Sequence, residues 1–66
     1  MCEVAVFINE NGTHRRIARS IVRADAGEGC VSLLDSGGRV TKVDGTVIVM
    51  LDLTENELAL KRINKK

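Results

Sequence analysis

The 66-residue sequence has no proline, no tryptophan and no tyrosine, and Phe7 is its one phenylalanine. Without proline, reversals of the chain fall to glycine and asparagine, the residues that tolerate positive φ. With one large aromatic ring there is no platform on which successive nucleic-acid bases could stack. The formal net charge is +1, too small for a basic field that would hold a nucleic acid electrostatically. RNA is therefore an unfavoured partner. The longest dense apolar run, Val47 to Leu51, is far too short to cross a bilayer. The start Met-Cys-Glu lacks a basic n-region and an apolar h-region, so the expected location is the cytoplasm. Two cysteines, Cys2 and Cys30, make no disulfide framework and should stay reduced there. Catalytic signatures are missing as well. His14 is the single histidine, and no Ser-His-Asp, Cys-His, Cys-x-x-Cys, His-x-x-x-His or phosphate-loop arrangement occurs. Gly37-Gly38 lacks the following helix that a dinucleotide site requires. The chain reads as a binding protein and not an enzyme.

What is present is a series of short β-branched segments set off by turn signals. Asn11-Gly12 marks a hairpin, and Gly27-Glu28-Gly29, Gly37-Gly38, Asp44-Gly45 and Thr54-Glu55-Asn56 mark further turns. Val4, Val6 and Ile8 alternate with Ala5 and Phe7, and Cys30 to Leu34, Arg39 to Val43, Thr46 to Leu53 and Leu58 to Ile63 complete the set. This spacing predicts an all-β fold, a small Sm-like or SH3-like barrel of about six or seven short antiparallel strands. Residues 1–66 form one domain in this reading. A chain of this size buries only about 60% of its unfolded surface, so a partner subunit is the expected supplement to its core.

Two segments resist a simple reading. In Thr13 to Ala26, Ile17, Ala18, Ile21 and Val22 recur at helical spacing, with Arg15, Arg16, Arg19, Ser20 and Arg23 opposite. Periodicity alone favours a helix there; the hairpin signal before it, together with the family resemblance described below, favours two short strands with a bend near Arg19. In Thr46 to Leu53, Val47, Val49, Leu51 and Leu53 form one apolar face while Ile48 and Met50 make the other apolar too. A strand apolar on both faces needs cover on both. Either it is the central strand of a barrel, packed by loops, or it meets a second copy of the chain in a homodimer.

Cys2 is the chemically unusual residue. Its thiolate stands beside the terminal amine, and the backbone nitrogen of Glu3 follows. Amine nitrogen, ionised amide nitrogen and thiolate can occupy adjacent corners of a square plane, a donor set suited to Ni(II) or Cu(II). The set forms whether the amine belongs to Met1 or, after its removal, to Cys2. The plain alternative is an inert cysteine near the chain start. Cys30, between glycines and apolar residues, reads as a small buried hydrophobe. His14 reads as a solvated turn residue or a further ligand swinging toward the first strand. The arginines of 15–23 read as a charged face, or as a contact for an acidic partner or RNA.

Met1-Cys2-Glu3 running into Val4-Ala5-Val6-Phe7-Ile8, the stretch "SIVRADAGEG" with Leu33-Leu34, and the closing "VDGTVIVMLDLTENELAL" resemble the CooT family of small nickel-binding proteins linked to carbon monoxide dehydrogenase maturation. The resemblance covers nearly the whole chain. It implies a dimeric Sm-like barrel that binds Ni(II) through Cys2, as a metallochaperone for the nickel-containing cluster of that dehydrogenase. Partners would be the dehydrogenase or its maturation proteins. Two other readings stand beside it. One is an Sm-like RNA-binding module; the other is a HypC-like hydrogenase chaperone, a group that also begins Met-Cys but places a proline soon after.

Overall fold

The computed structural model describes residues 3–63, and all six of its regular elements are strands. They are β1 (Val4–Glu10), β2 (Thr13–Gly27), β3 (Cys30–Asp35), β4 (Val40–Asp44), β5 (Thr46–Asp52) and β6 (Glu57–Arg62). One sheet contains them all, in the order β4-β3-β2-β1-β6-β5. The sheet curls into a half-barrel, as the strand pattern predicts. One pairing departs from the antiparallel expectation: β1 and β6 run parallel, Ala5 opposite Glu57 through Asn9 opposite Lys61.

Asn11 and Gly12 form the two-residue turn between β1 and β2, with φ of 53° and 75°. Two positive φ values in succession match the twist of the flanking strands. At Gly45, φ 72°, the chain does something the Asp44-Gly45 signal does not disclose. Gly45 is the lone residue between β4 and β5, yet β4 pairs with β3 and β5 with β6. This corner therefore carries the chain from one edge of the sheet to the other. Its N–H donates to the Gly29 carbonyl at 2.7 Å, and its own carbonyl accepts from the Ile63 N–H at 2.7 Å. Beside it, the hydroxyl of fully buried Thr46 donates to the Val43 carbonyl at 3.0 Å.

The disputed segment is one strand, not two short ones, and it bends where a bend was expected. Ser20, next to Arg19, has φ 58°, and its carbonyl accepts from the Ser36 N–H at 2.9 Å. Register shifts flank it between Val4 and Val6, between Val6 and Phe7, and between Ile21 and Arg23. Each extra residue in a bulge moves the inward phase by one position. That is why Ile17, Ala18, Ile21 and Val22 look helical in spacing while lying in a strand.

The interior is aliphatic: Val6, Ile8, Ile21, Val31, Leu33, Leu58 and Leu60 form the buried cluster. Val4, Ile17, Ala18, Ala24, Val43 and Ile48 pack against it half-buried. β5 does not keep the strict alternation its sequence suggests. Ile48 lies opposite Leu60, Met50 opposite Ala59 and Leu51 opposite Leu58, so Val49 is the extra residue of a bulge. Ile48 and Leu51 consequently share the inner face with Leu60 and Leu58, while Met50 sits outside. Replacing fully buried Leu60 by alanine should cost about 2–5 kcal/mol. Urea denaturation should show that loss as a lower midpoint with little change in slope; a midpoint within error of the parent would contradict this core.

Candidate functional site

The first described residue, Glu3, is exposed and leads directly into β1. There the chain is clamped between two strands. Val4 lies opposite Ile21 of β2, and the Ala5 N–H donates to the Asn56 carbonyl at 2.9 Å, just before β6. The β5–β6 turn thus abuts the start of β1, and its shape comes from Asp52. One carboxylate oxygen of Asp52 accepts from the Thr54 hydroxyl at 2.5 Å, the Thr54 N–H at 2.9 Å and the Glu55 N–H at 3.2 Å. Asn56 closes the turn with φ 56°. The Thr54 hydroxyl first, then the Glu55 N–H, hold the Asp52 carboxyl below its ordinary 3.8, outweighing slight desolvation. Glu3, Asp52, Glu55 and Glu57 gather at this end. No lysine or arginine occurs between Val43 and Leu60 or ahead of Arg15, so β1, β5 and β6 bring only carboxylates to this end, and the cations beside them are Arg19 and Arg23 of β2, on either side of Ile21.

Cys2 lies outside the described residues, one position before Glu3. The other sequence candidates are not brought to Glu3. His14 pairs with Asn9, toward the far end of β1, about 17 Å from Val4 by strand rise. Its Nδ1 lies 2.6 Å from the Asn9 Oδ1, and its ring stacks on Phe7 with centroids 4.6 Å apart. His14 therefore does not swing toward the start of β1. Phe7 is half-buried under it, so its ring offers little to a nucleic-acid base. Cys30 is free and half-buried, more open than a core residue. It stands next to Gly29, and Gly29 meets Gly45 and Ile63 at the opposite end of β6 from Asn56, about 20 Å away along the strand. Among the described residues no group of three or more His, Cys, Asp or Glu could hold a metal ion. A metal reading rests on Cys2 and its neighbours.

The arginines of β2 do not form one face. Arg15 lies opposite inward-facing Ile8 and pairs with Glu10 at 3.7 Å, whereas Arg16 lies opposite Phe7 on the outside. Arg23 pairs with Asp25 at 3.1 Å.

The sequence reading missed an open apolar trough of about 320 Å³ beside the start of β1. Val4, Ile21, Val22, Ala24, Ile48, Leu51, Leu53 and Leu58 line it, with Arg23 at its margin. It is the seam where β5 approaches β2 without pairing. The available signal was the excess of aliphatic residues in β5: Val47, Val49, Met50, Leu51 and Leu53 all remain exposed. No described helix is long and apolar enough to cross a membrane.

No protein-family model matches the sequence, and no curated protein matches it. Among solved structures, the chain is similar to the crystal structure of a candidate CooT from Carboxydothermus hydrogenoformans. The TM-score is 0.81 at 21% identity, covering 96% of this chain and 100% of the other. Likeness at that identity establishes a shared fold: this chain is a small β half-barrel of the CooT type.

Because its folded pKa is lowered, Asp52 stabilises the turn while ionised, and that contribution fades as pH falls through the lowered value. The amide NMR signals of Thr54 and Glu55 should titrate with a midpoint below 3.8. A midpoint at or above that value would show that the carboxylate does not hold the turn.

Proposed function

We propose that this protein binds Ni(II) through Cys2 and acts as a small accessory protein, a metallochaperone, in supplying nickel to carbon monoxide dehydrogenase in the cytoplasm. Nickel is its cargo. The observation that carries this reading is the full-length likeness to the candidate CooT fold. Support also comes from the position of Glu3 at the start of β1, beside the carboxylate-bearing β5–β6 turn. The Cys2 thiolate and the backbone nitrogens around it, that of Glu3 included, supply soft and strong-field donors for a square-planar ion. The carboxylates of Glu3, Asp52, Glu55 and Glu57 concentrate a dication at that end.

Titration of the purified protein with Ni(II), followed by thiolate-to-metal charge-transfer absorption, tests the assignment. Cys2→Ser should abolish the band, and Cys30→Ser should leave it unchanged. Equal loss in both variants, or none in Cys2→Ser, removes the site from Cys2.

The same reading makes the protein a homodimer joined through β5. That strand is a sheet edge, and from Thr46 to Leu51 it carries none of the charges or prolines that usually blunt an edge. Val22, Val47, Val49, Met50, Leu51 and Leu53 expose 37–64% of their surface. Together that is on the order of 500 Å², about the apolar share of one side of a standard homodimer interface. Sedimentation at micromolar concentration should give twice the 7.2 kDa chain mass. Val49→Lys with Leu53→Asp should give a folded monomer, since neither side chain belongs to the buried core. Ile48 is unsuitable for this test because it packs against that core. A monomeric parent protein would contradict the interface.

A further inference from the structure

Cations outnumber carboxylates at the end of β1 opposite Glu3. Around the Asn11-Gly12 turn, His14, Arg15, Arg16, Lys61 and Arg62 are all exposed on the adjacent ends of β2 and β6. Glu10 is the one carboxylate on these strand ends, and two arginines share it: Arg15 at 3.7 Å and Arg62 at 3.4 Å. Arg62 is held again by a bond from its Nη1 to the Asp44 carbonyl at 3.2 Å. A guanidinium has five N–H donors, so Glu10 fixes both side chains and leaves most of their donors free. Arg16 and Lys61 have no ion-pair partner among the described residues.

Two open depressions flank the Glu10–Asn11 tip. One, of about 190 Å³, is lined by Ile8, Glu10, Asn11, Thr13 and Arg15. The other, of about 330 Å³, is lined by Asn9, Glu10, Asn11, Lys61 and Arg62. Each combines at least one cation with amide donors, and the first adds a hydroxyl. Glu10 lines both, so Arg15 is balanced in the first, whereas Lys61 and Arg62 outweigh Glu10 in the second and leave it suited to a carboxylate.

We infer that this basic end is a docking surface for an acidic segment of a partner protein, with a carboxylate side chain entering the depression beside Lys61 and Arg62 and others meeting exposed Arg15 and Arg16. A nucleic acid fits less well. The ring of Phe7 is already covered by His14 and offers no stacking surface for a base. The surface lies about 20 Å from Val4 along β1, so docking here leaves the start of β1 accessible.

Fluorescence anisotropy with a labelled hexaglutamate peptide at low ionic strength tests the surface. The parent protein should bind it, and Lys61→Glu should weaken binding about tenfold. Lys42→Glu, which changes net charge equally but lies on β4, should weaken it less than twofold. An equal loss in the two variants would mean that net charge and not this surface attracts the peptide. No binding below about 1 mM peptide, or tighter binding of a single-stranded RNA hexamer than of the peptide, would overturn the inference. Ni(II) titration of Lys61→Glu should match the parent protein, which separates this surface from the Cys2 assignment.

Discussion

A single left-handed residue governs the architecture. Gly45 turns β4 into β5 across the full width of the sheet, and its two backbone hydrogen bonds tie the β2–β3 turn to the end of β6. Side chains with a Cβ resist φ near +70°, so glycine makes this corner at least cost. Because the corner joins the two outermost strands, the sheet must curl, and the curl is what encloses Val6, Ile8, Val31, Leu33 and Leu60. The same curl leaves β5 beside β2 without a ladder between them. The apolar trough is a consequence of how the sheet closes, and so is the uncovered edge of β5.

Much of this was legible in the residues. Turn chemistry at Asn11-Gly12 and the β-branched segments predicted five of the six strands to within a residue or two, β2 being the exception. The bend near Arg19 was legible as well, since a basic, helix-spaced stretch after a hairpin turn had to fold back somewhere. The bulges were not. Three register shifts in β1–β2 and β2–β3 and one in β5–β6 rephase the inward positions, and nothing in a period-two pattern announces an inserted residue. The parallel β1–β6 pairing was hidden for another reason: it joins residues about fifty positions apart, and only the corner at Gly45 makes it possible.

For the site, local sequence was informative about chemistry and silent about geometry. Cys2 was marked by its donor set, and it falls outside the described residues, so the site is defined by what surrounds Glu3. The structure separates Glu3 from Cys30 and His14, which lie toward the far ends of β6 and β1. It also gathers Glu3, Asp52, Glu55 and Glu57, which no linear motif unites. Arg19 and Arg23 of β2 stand beside those carboxylates, while the end around Glu10 carries Arg15, Arg16, Lys61 and Arg62 against one carboxylate.

The central claim is spatial: nickel is taken up where β1 begins. Amide NMR spectra recorded during Ni(II) addition test it directly. The account predicts that signals from Glu3, Val4, Ala5, Asn56 and Glu57 move or broaden while those of Asn9, His14, Gly29 and Cys30 stay in place. Perturbation centred on His14 or Cys30, or a spectrum indifferent to Ni(II), would contradict it.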